Sequence, residues 1–133
     1  MKCLVLFIAC STLAAGVCVN GHISVSREYS RSTYVLTASV VAARDVPRSK
    51  DEYDFEGTNY TLKSGQSFKG SAPKTFDVFS ENSSGRFVMS PGESYLVFVH
   101  RDHGRLRIDN CGNSGLLDAS SLTLAKVRNL MKH

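Results

Sequence analysis

Residues 94–115 read SYLVFVHRDHGRLRIDNCGNSG. Tyr95, Val97 and Val99 alternate with Leu96 and Phe98, a run of β-branched and aromatic residues with no polar side, which predicts a strand covered on both faces. Arg101-Asp102-His103-Gly104 follows as a polar turn, and its glycine takes a positive φ without a Cβ clash. Arg105, Arg107 and Asp109 then alternate with Leu106, Ile108 and Asn110, the period-two pattern of a strand with one wet and one dry face. The stretch is therefore predicted to be a β-hairpin. It ends on Cys111-Gly112, where a covalent tie can pin it to a segment distant in sequence.

Three more strands are predicted upstream. Residues 33–43, TYVLTASVVAA, have the β-branched density of a long strand, closed by Arg44-Asp45-Val46-Pro47 because proline lacks the ladder donor. The charged run RSKDEYD, 48–54, reads as an exposed connection. Tyr60 and Leu62 alternate with Thr61 and Lys63 in a second strand, with Gly65 marking a bulge or bend and Lys69-Gly70 a turn. Residues 74–80, KTFDVFS, form a third, and the opening hairpin supplies the fourth and fifth. After residue 119 the period changes. Ser120 or Ser121 caps a helix whose apolar side is Leu122, Leu124, Ala125, Val127, Leu130 and Met131, with Lys126, Arg128 and Lys132 in its later turns. Five short strands that must hide their edges, followed by one helix, predict a mostly β chain folded as a small closed or nearly closed barrel.

The first residues carry a different signal. Lys2, an apolar run over residues 3–13 and the small residues Ala14, Ala15 and Gly16 form a secretory leader, residues 1–17, with cleavage expected between 16 and 19. No later stretch is long and apolar enough to span a membrane. Residues 18–133 are expected to be one secreted, extracellular domain. The 16 Lys and Arg less Lys2, against 12 Asp and Glu, leave a net charge of about +3, with signs too interspersed for a nucleic-acid surface. Of four cysteines, Cys3 and Cys10 lie in the leader. A Cys18–Cys111 disulfide is then expected in an oxidising compartment, unless cleavage falls after Cys18 and leaves Cys111 alone.

Several landmarks together resemble a known family. Lys69-Gly70, Ser84-Gly85-Arg86-Phe87, Tyr95-Leu96-Val97-Phe98, Gly104-Arg105-Leu106, Cys111 and Ser121-Leu122-Thr123-Leu124-Ala125 are similar, in order and spacing, to the N-terminal netrin-like domain of the tissue inhibitors of metalloproteinases. The similarity covers nearly the whole mature chain. It implies a five-stranded OB-fold Greek-key barrel with a C-terminal α-helix, acting as a monomer that inhibits an extracellular zinc metalloproteinase. It also implies a mechanism. The family's mature chain begins on a cysteine whose α-amino group and carbonyl chelate the target's catalytic zinc, and here that position falls on Cys18. Val19 is then the residue entering the specificity pocket, and Asn82, Ser83 and Ser84 form the adjoining contact ridge, with residues 44–54 as a flanking loop. The zinc belongs to the target, and no cofactor of the chain's own is implied. Where the family has further cysteines this chain has Asn20 and Ser84.

Other residues weigh less. Asn59-Tyr60-Thr61 and Asn82-Ser83-Ser84 are N-glycosylation sequons. His100 and His103 flank a turn without a third ligand and read as solvated. Arg101, Arg105 and Arg107 offer a basic stripe, which makes sulfated glycans a second candidate partner, although an ordinary wet strand face is the simpler reading. No nucleophile triad or phosphate loop is present, so an enzyme is not expected. The alternative to an inhibitor is a non-inhibitory netrin-like binding or matrix module that keeps the barrel.

Overall fold

The computed structural model describes residues 18, 21–48, 50, 54–84 and 86–133. The expected leader, residues 1–17, lies outside them, as does Val19.

The strand predicted to be covered on both faces is so covered. In β4 (Ser94–Asp102) every side chain from Tyr95 through Val99 is buried. Tyr95, Val97 and Val99 point into the barrel, where they meet Leu36, Val40, Tyr60, Leu62, Phe76, Val78 and Ile108. Leu96 and Phe98 point out, into a second cluster with Val35, Phe68 and Val127. That second cluster exists because two helices, α1 (Val25–Arg31) and α2 (Ser121–Leu130), lie on the outside of the barrel, with Val25, Tyr29 and Leu124 packed against it.

Strand pairing closes the barrel. β1 (Tyr34–Pro47) runs antiparallel to β2 (Phe55–Lys69), and β2 antiparallel to β3 (Thr75–Glu81). β3 meets β5 (Arg105–Ile108) in parallel at Phe79 and Arg107. β5 returns to β4 through the hairpin, and β4 pairs antiparallel with β1 from Tyr34 opposite Val99 to Ser39 opposite Ser94. The ring β1-β2-β3-β5-β4-β1 leaves these strands few unpaired edges. The hairpin turn is of the two-residue kind, with His103 at φ +49° and Gly104 at φ +76°. Both are left-handed, matching the twist of the flanking strands. At Gly65 the register slips as expected: the Gln66 N–H donates to the Thr37 hydroxyl at 2.8 Å where a ladder bond would otherwise lie.

Four expectations change. β1 does not stop at Ala43 but runs to Pro47, and β2 begins at Phe55 rather than near Tyr60, so Arg44 through Val46 are paired opposite Asn59 through Gly57. Pro47 sits in the last pair, where its missing N–H costs the ladder little. The flanking loop assigned to residues 44–54 thereby shrinks to the tip, where the Arg48 N–H donates to the Asp54 carbonyl at 3.1 Å. A sixth strand, β6 (Gly115–Leu116), pairs with β4 at Tyr95 and Leu96, so among the described residues the sheet has six strands and not five.

α1 was not anticipated from the sequence. α2 begins where expected, but Ser120, at its N-cap position, gives its hydroxyl proton to the Leu116 carbonyl at 2.6 Å instead of capping the helix. Its apolar side is narrower than its composition suggests: Val127 is fully buried, while Leu122 is 81% and Met131 49% exposed. The helix meets the outer cluster through Leu124 and Val127; Leu130 is half-buried, and Leu122, Ala125 and Met131 are exposed.

Leu96 and Leu122 therefore separate cleanly. In urea titrations, Leu96→Ala is expected to cost about 2–5 kcal/mol and Leu122→Ala less than about 0.5 kcal/mol. Equal losses would contradict the placement of α2.

Candidate functional site

Loop 109–114 follows β5 and carries Cys111, which is disulfide-bonded to Cys18 across 93 residues, with 5.7 Å between the Cα atoms. The Cys111 N–H donates to the Asp109 carboxylate at 2.9 Å, so the chain turns locally as it leaves the strand. At the far end of the loop the Ser114 hydroxyl accepts from the Phe98 N–H at 2.9 Å, tying it to β4. The N-terminal half-cystine is thus bound to the end of the hairpin, as expected from its sequence.

Asn110 brings the third segment in. Its Nδ2 donates to the Ser83 hydroxyl at 2.6 Å and to the Glu81 carbonyl at 3.2 Å, while its Oδ1 accepts from the Phe87 N–H at 3.4 Å. Residues 82–84, in the connection from β3 to β4, are thereby stapled to the residue preceding Cys111. Cys18, Ser83 and Ser84, far apart in sequence, are gathered at one end of the barrel. A cavity of about 290 Å³ opens beside Ser83, Ser84, Asn110 and Cys111, its remaining wall supplied by β3, β4 and β5 with His100, Asp102 and Arg107; Cys18 does not line it. Sequence reasoning placed Asn110 on the dry side of a strand and missed its role. The available signal was an amide where the alternation calls for an apolar residue.

Cys18 itself is partly engaged. Its carbonyl accepts a hydrogen bond from the Gly21 N–H at 2.9 Å, which uses one of the oxygen's two lone pairs. Asn82 is exposed, with its Nδ2 donating to the Phe55 carbonyl at 3.1 Å and its Oδ1 accepting from Arg86 at 3.4 Å. Asn59 lies between the buried inward residues Thr58 and Tyr60, half-buried and paired across the sheet with Arg44 and Phe79.

The arginines of β5 are occupied. Phe79 is 2% exposed yet belongs to neither apolar cluster. The Arg105 and Arg107 guanidiniums lie 4.3 and 5.1 Å from its ring centroid and cover it from outside. Arg105 also faces Glu56 at 3.7 Å and Arg107 faces Asp102 at 3.7 Å, while Arg101 donates to the Gly104 carbonyl at 3.3 Å. His103 is exposed with Nδ1 2.6 Å from Asp102. His100 is half-buried, and burial holds its imidazole below the usual histidine range. Among the described residues no three His, Cys, Asp or Glu side chains converge as a metal site, and no helix is long and apolar enough to cross a membrane.

Fold and site define a disulfide-tethered, closed β-barrel with two helices on its outer face. No known protein-family model matches the chain, and no curated protein matches it.

Two substitutions test how the site is held. Cys111→Ser, which opens a loop of this length, is expected to cost about 4–5 kcal/mol on chain-entropy grounds. Asn110→Ala, which strands the Ser83 and Phe87 partners, is expected to cost about 1–3 kcal/mol. Denaturant unfolding of each against the wild type measures both, and an Asn110→Ala variant as stable as the wild type would contradict the stapling role.

Proposed function

We propose that the chain is a secreted inhibitor of zinc metalloproteinases, built on an OB barrel of the netrin-like kind and acting through its mature N-terminus. The observation that carries this reading is the convergence of Cys18 with residues 82–84. These are the segments that the resemblance to tissue inhibitors of metalloproteinases assigns to the protease contact, and the disulfide and the Asn110 hydrogen bonds place them on one edge. The strand ring with its parallel β3–β5 contact supports the barrel class.

The chemistry follows from the open coordination position of a catalytic zinc. A leader cut immediately before Cys18 leaves a free α-amino group beside the Cys18 carbonyl, and the two occupy the position where water or substrate would bind. The carbonyl uses the lone pair that Gly21 leaves free. Val19 fills the specificity pocket as a small apolar plug, and Asn82, Ser83 and Ser84 line the contact. The tether to Cys111 keeps the terminus in place, so little conformational entropy is lost on binding. No reaction is performed by the chain itself.

A second reading, a non-inhibitory extracellular module, is favoured by the hydrogen bond already on the Cys18 carbonyl and by Ser84 standing where the family carries a cysteine. Its sulfated-glycan version requires free guanidiniums, whereas Arg105 and Arg107 are stacked on Phe79 and face carboxylates.

The test is an inhibition assay against extracellular zinc proteases with protein beginning at Cys18 and protein carrying one added Ala before it. The added residue is expected to weaken inhibition by about a hundredfold or more. Inhibition is also expected to weaken as pH falls below about 8, because the α-amine must shed its proton to bind metal. Equal potency with and without the extra Ala rules the mechanism out.

A further inference from the structure

The edge just described is only as firm as loop 109–114, and that loop rests on a buried acid. Glu28, in α1, is 6% exposed. Its Oε2 accepts from both the backbone N–H and the side-chain Nδ2 of Asn113, each at 2.6 Å. The same Nδ2 donates to the Ile23 carbonyl at 2.9 Å, which binds the start of the helix to the loop as well. Oε1 has no hydrogen-bond partner among the described residues. It lies directly against Gly112, where a Cβ would collide with it, so the loop closes over the carboxyl with no space between them. Beside the carboxyl is a void of about 10 Å³ bordered by Ile23, Arg31, Ser32, His100 and Asp109, just enough for one water.

The two protonation states of Glu28 differ in what they ask of this space. A neutral carboxyl keeps both Asn113 bonds on Oε2 and can donate an Oε1 proton into the void. An ionised one leaves Oε1 facing at most a single water, and hydrating its charge more fully requires the loop to lift. We propose that Glu28 is a positioning residue for the Cys18–Cys111 edge, clasping loop 109–114 while it carries a proton on Oε1 and loosening it when that proton leaves.

The groups facing the carboxyl act in both directions. Burial raises its pKa above the ordinary 4.5; the two Asn113 hydrogen bonds lower it, the Asp109 charge raises it and Arg31 lowers it, and the balance is upward. A raised pKa in the closed loop means that the clasp is complete below about pH 4.5 and weakens as pH rises through the raised value. His100, across the void, works in the opposite sense. Burial lowers its pKa, with Asp109 and Asp102 raising it and Arg31 and Arg107 lowering it. Its contribution is present above 6.5 and is lost as pH falls through the lowered value.

This rests on the inhibitor reading only for its consequence, and its test contains no protease. Amide hydrogen exchange of the mature protein, followed by NMR, gives the protection factor of the Asn113 N–H as a function of pH. Above pH 4.5 protection is expected to fall by up to about tenfold per pH unit and to level off beyond the raised pKa. Glu28→Gln, which keeps an acceptor for Asn113 and a permanent donor toward the void, is expected to retain protection and lose that fall, with any remaining slope upward from His100. The Glu28 carboxyl ¹³C shift in wild-type protein supplies a measurement independent of any variant: its midpoint must coincide with the end of the fall in protection. A flat wild-type profile, an unchanged profile in Glu28→Gln, or a carboxyl midpoint at 4.5 or below overturns the proposal. Each of these leaves the inhibitor reading standing, whereas equal potency with an added N-terminal Ala removes that reading and leaves the clasp.

Discussion

The antiparallel seam between β1 and β4 is the constraint on which the rest depends. Six residue pairs, from Tyr34 with Val99 to Ser39 with Ser94, turn an open sheet into a ring. The ring gives Val97 and Val99 an interior and leaves Val35, Leu96 and Phe98 as an apolar strip outside. That strip must be covered, and it is the reason that two short helices dock where they do. A seven-residue α1 would not be stable by propensity alone. It is held by Tyr29, whose hydroxyl donates to the Phe68 carbonyl at 2.9 Å, and by Lys69, whose Nζ donates to the Tyr29 and Ser30 carbonyls at 2.8 and 2.9 Å at the helix's C-terminal end. Closing the barrel therefore fixes α1, α1 supplies Glu28, and Glu28 holds the loop that carries the disulfide.

The interactions at the Cys18 end of the barrel are of unequal weight. The Cys18–Cys111 link closes a very long loop and contributes on the order of several kcal/mol. The ion pairs around the hairpin sit at 3.7 Å on partly exposed side chains and contribute at most about 1 kcal/mol each. The arginines of β5 matter more as cover for Phe79 than as charges, since their planar faces let an aromatic ring on the outer surface of β3 escape water.

Much of this was legible from the residues because the signals were local. The two-faced strand, the wet and dry alternation of β5, the Gly65 bulge and the α2 start each depend on neighbours within a few positions. The Cys18–Cys111 pairing followed from counting the cysteines outside the expected leader. What was missed depends on distant partners. α1 contains only Val25 and Tyr29 as apolar residues, and its most buried side chain is a glutamate whose partner Asn113 is 85 residues away, so no apolar period marks it. β6 is two residues long and owes its existence to the exposed edge of β4. Asn110 looked like a strand residue, and its function appears only when residues 82–84 are brought beside it. The opposite error, the overly broad apolar face of α2, arose because composition counts side chains that the barrel has no surface to cover.

The central claim concerns a single backbone nitrogen at the edge formed by these elements. Intact-mass and N-terminal analysis of the protein as it accumulates in its native cells and medium tests it most directly. The account predicts a chain that begins at Cys18, unmodified at its α-amine and two hydrogen atoms lighter than the reduced form through the bond to Cys111. A chain beginning at any other residue, or a blocked amine, would contradict it.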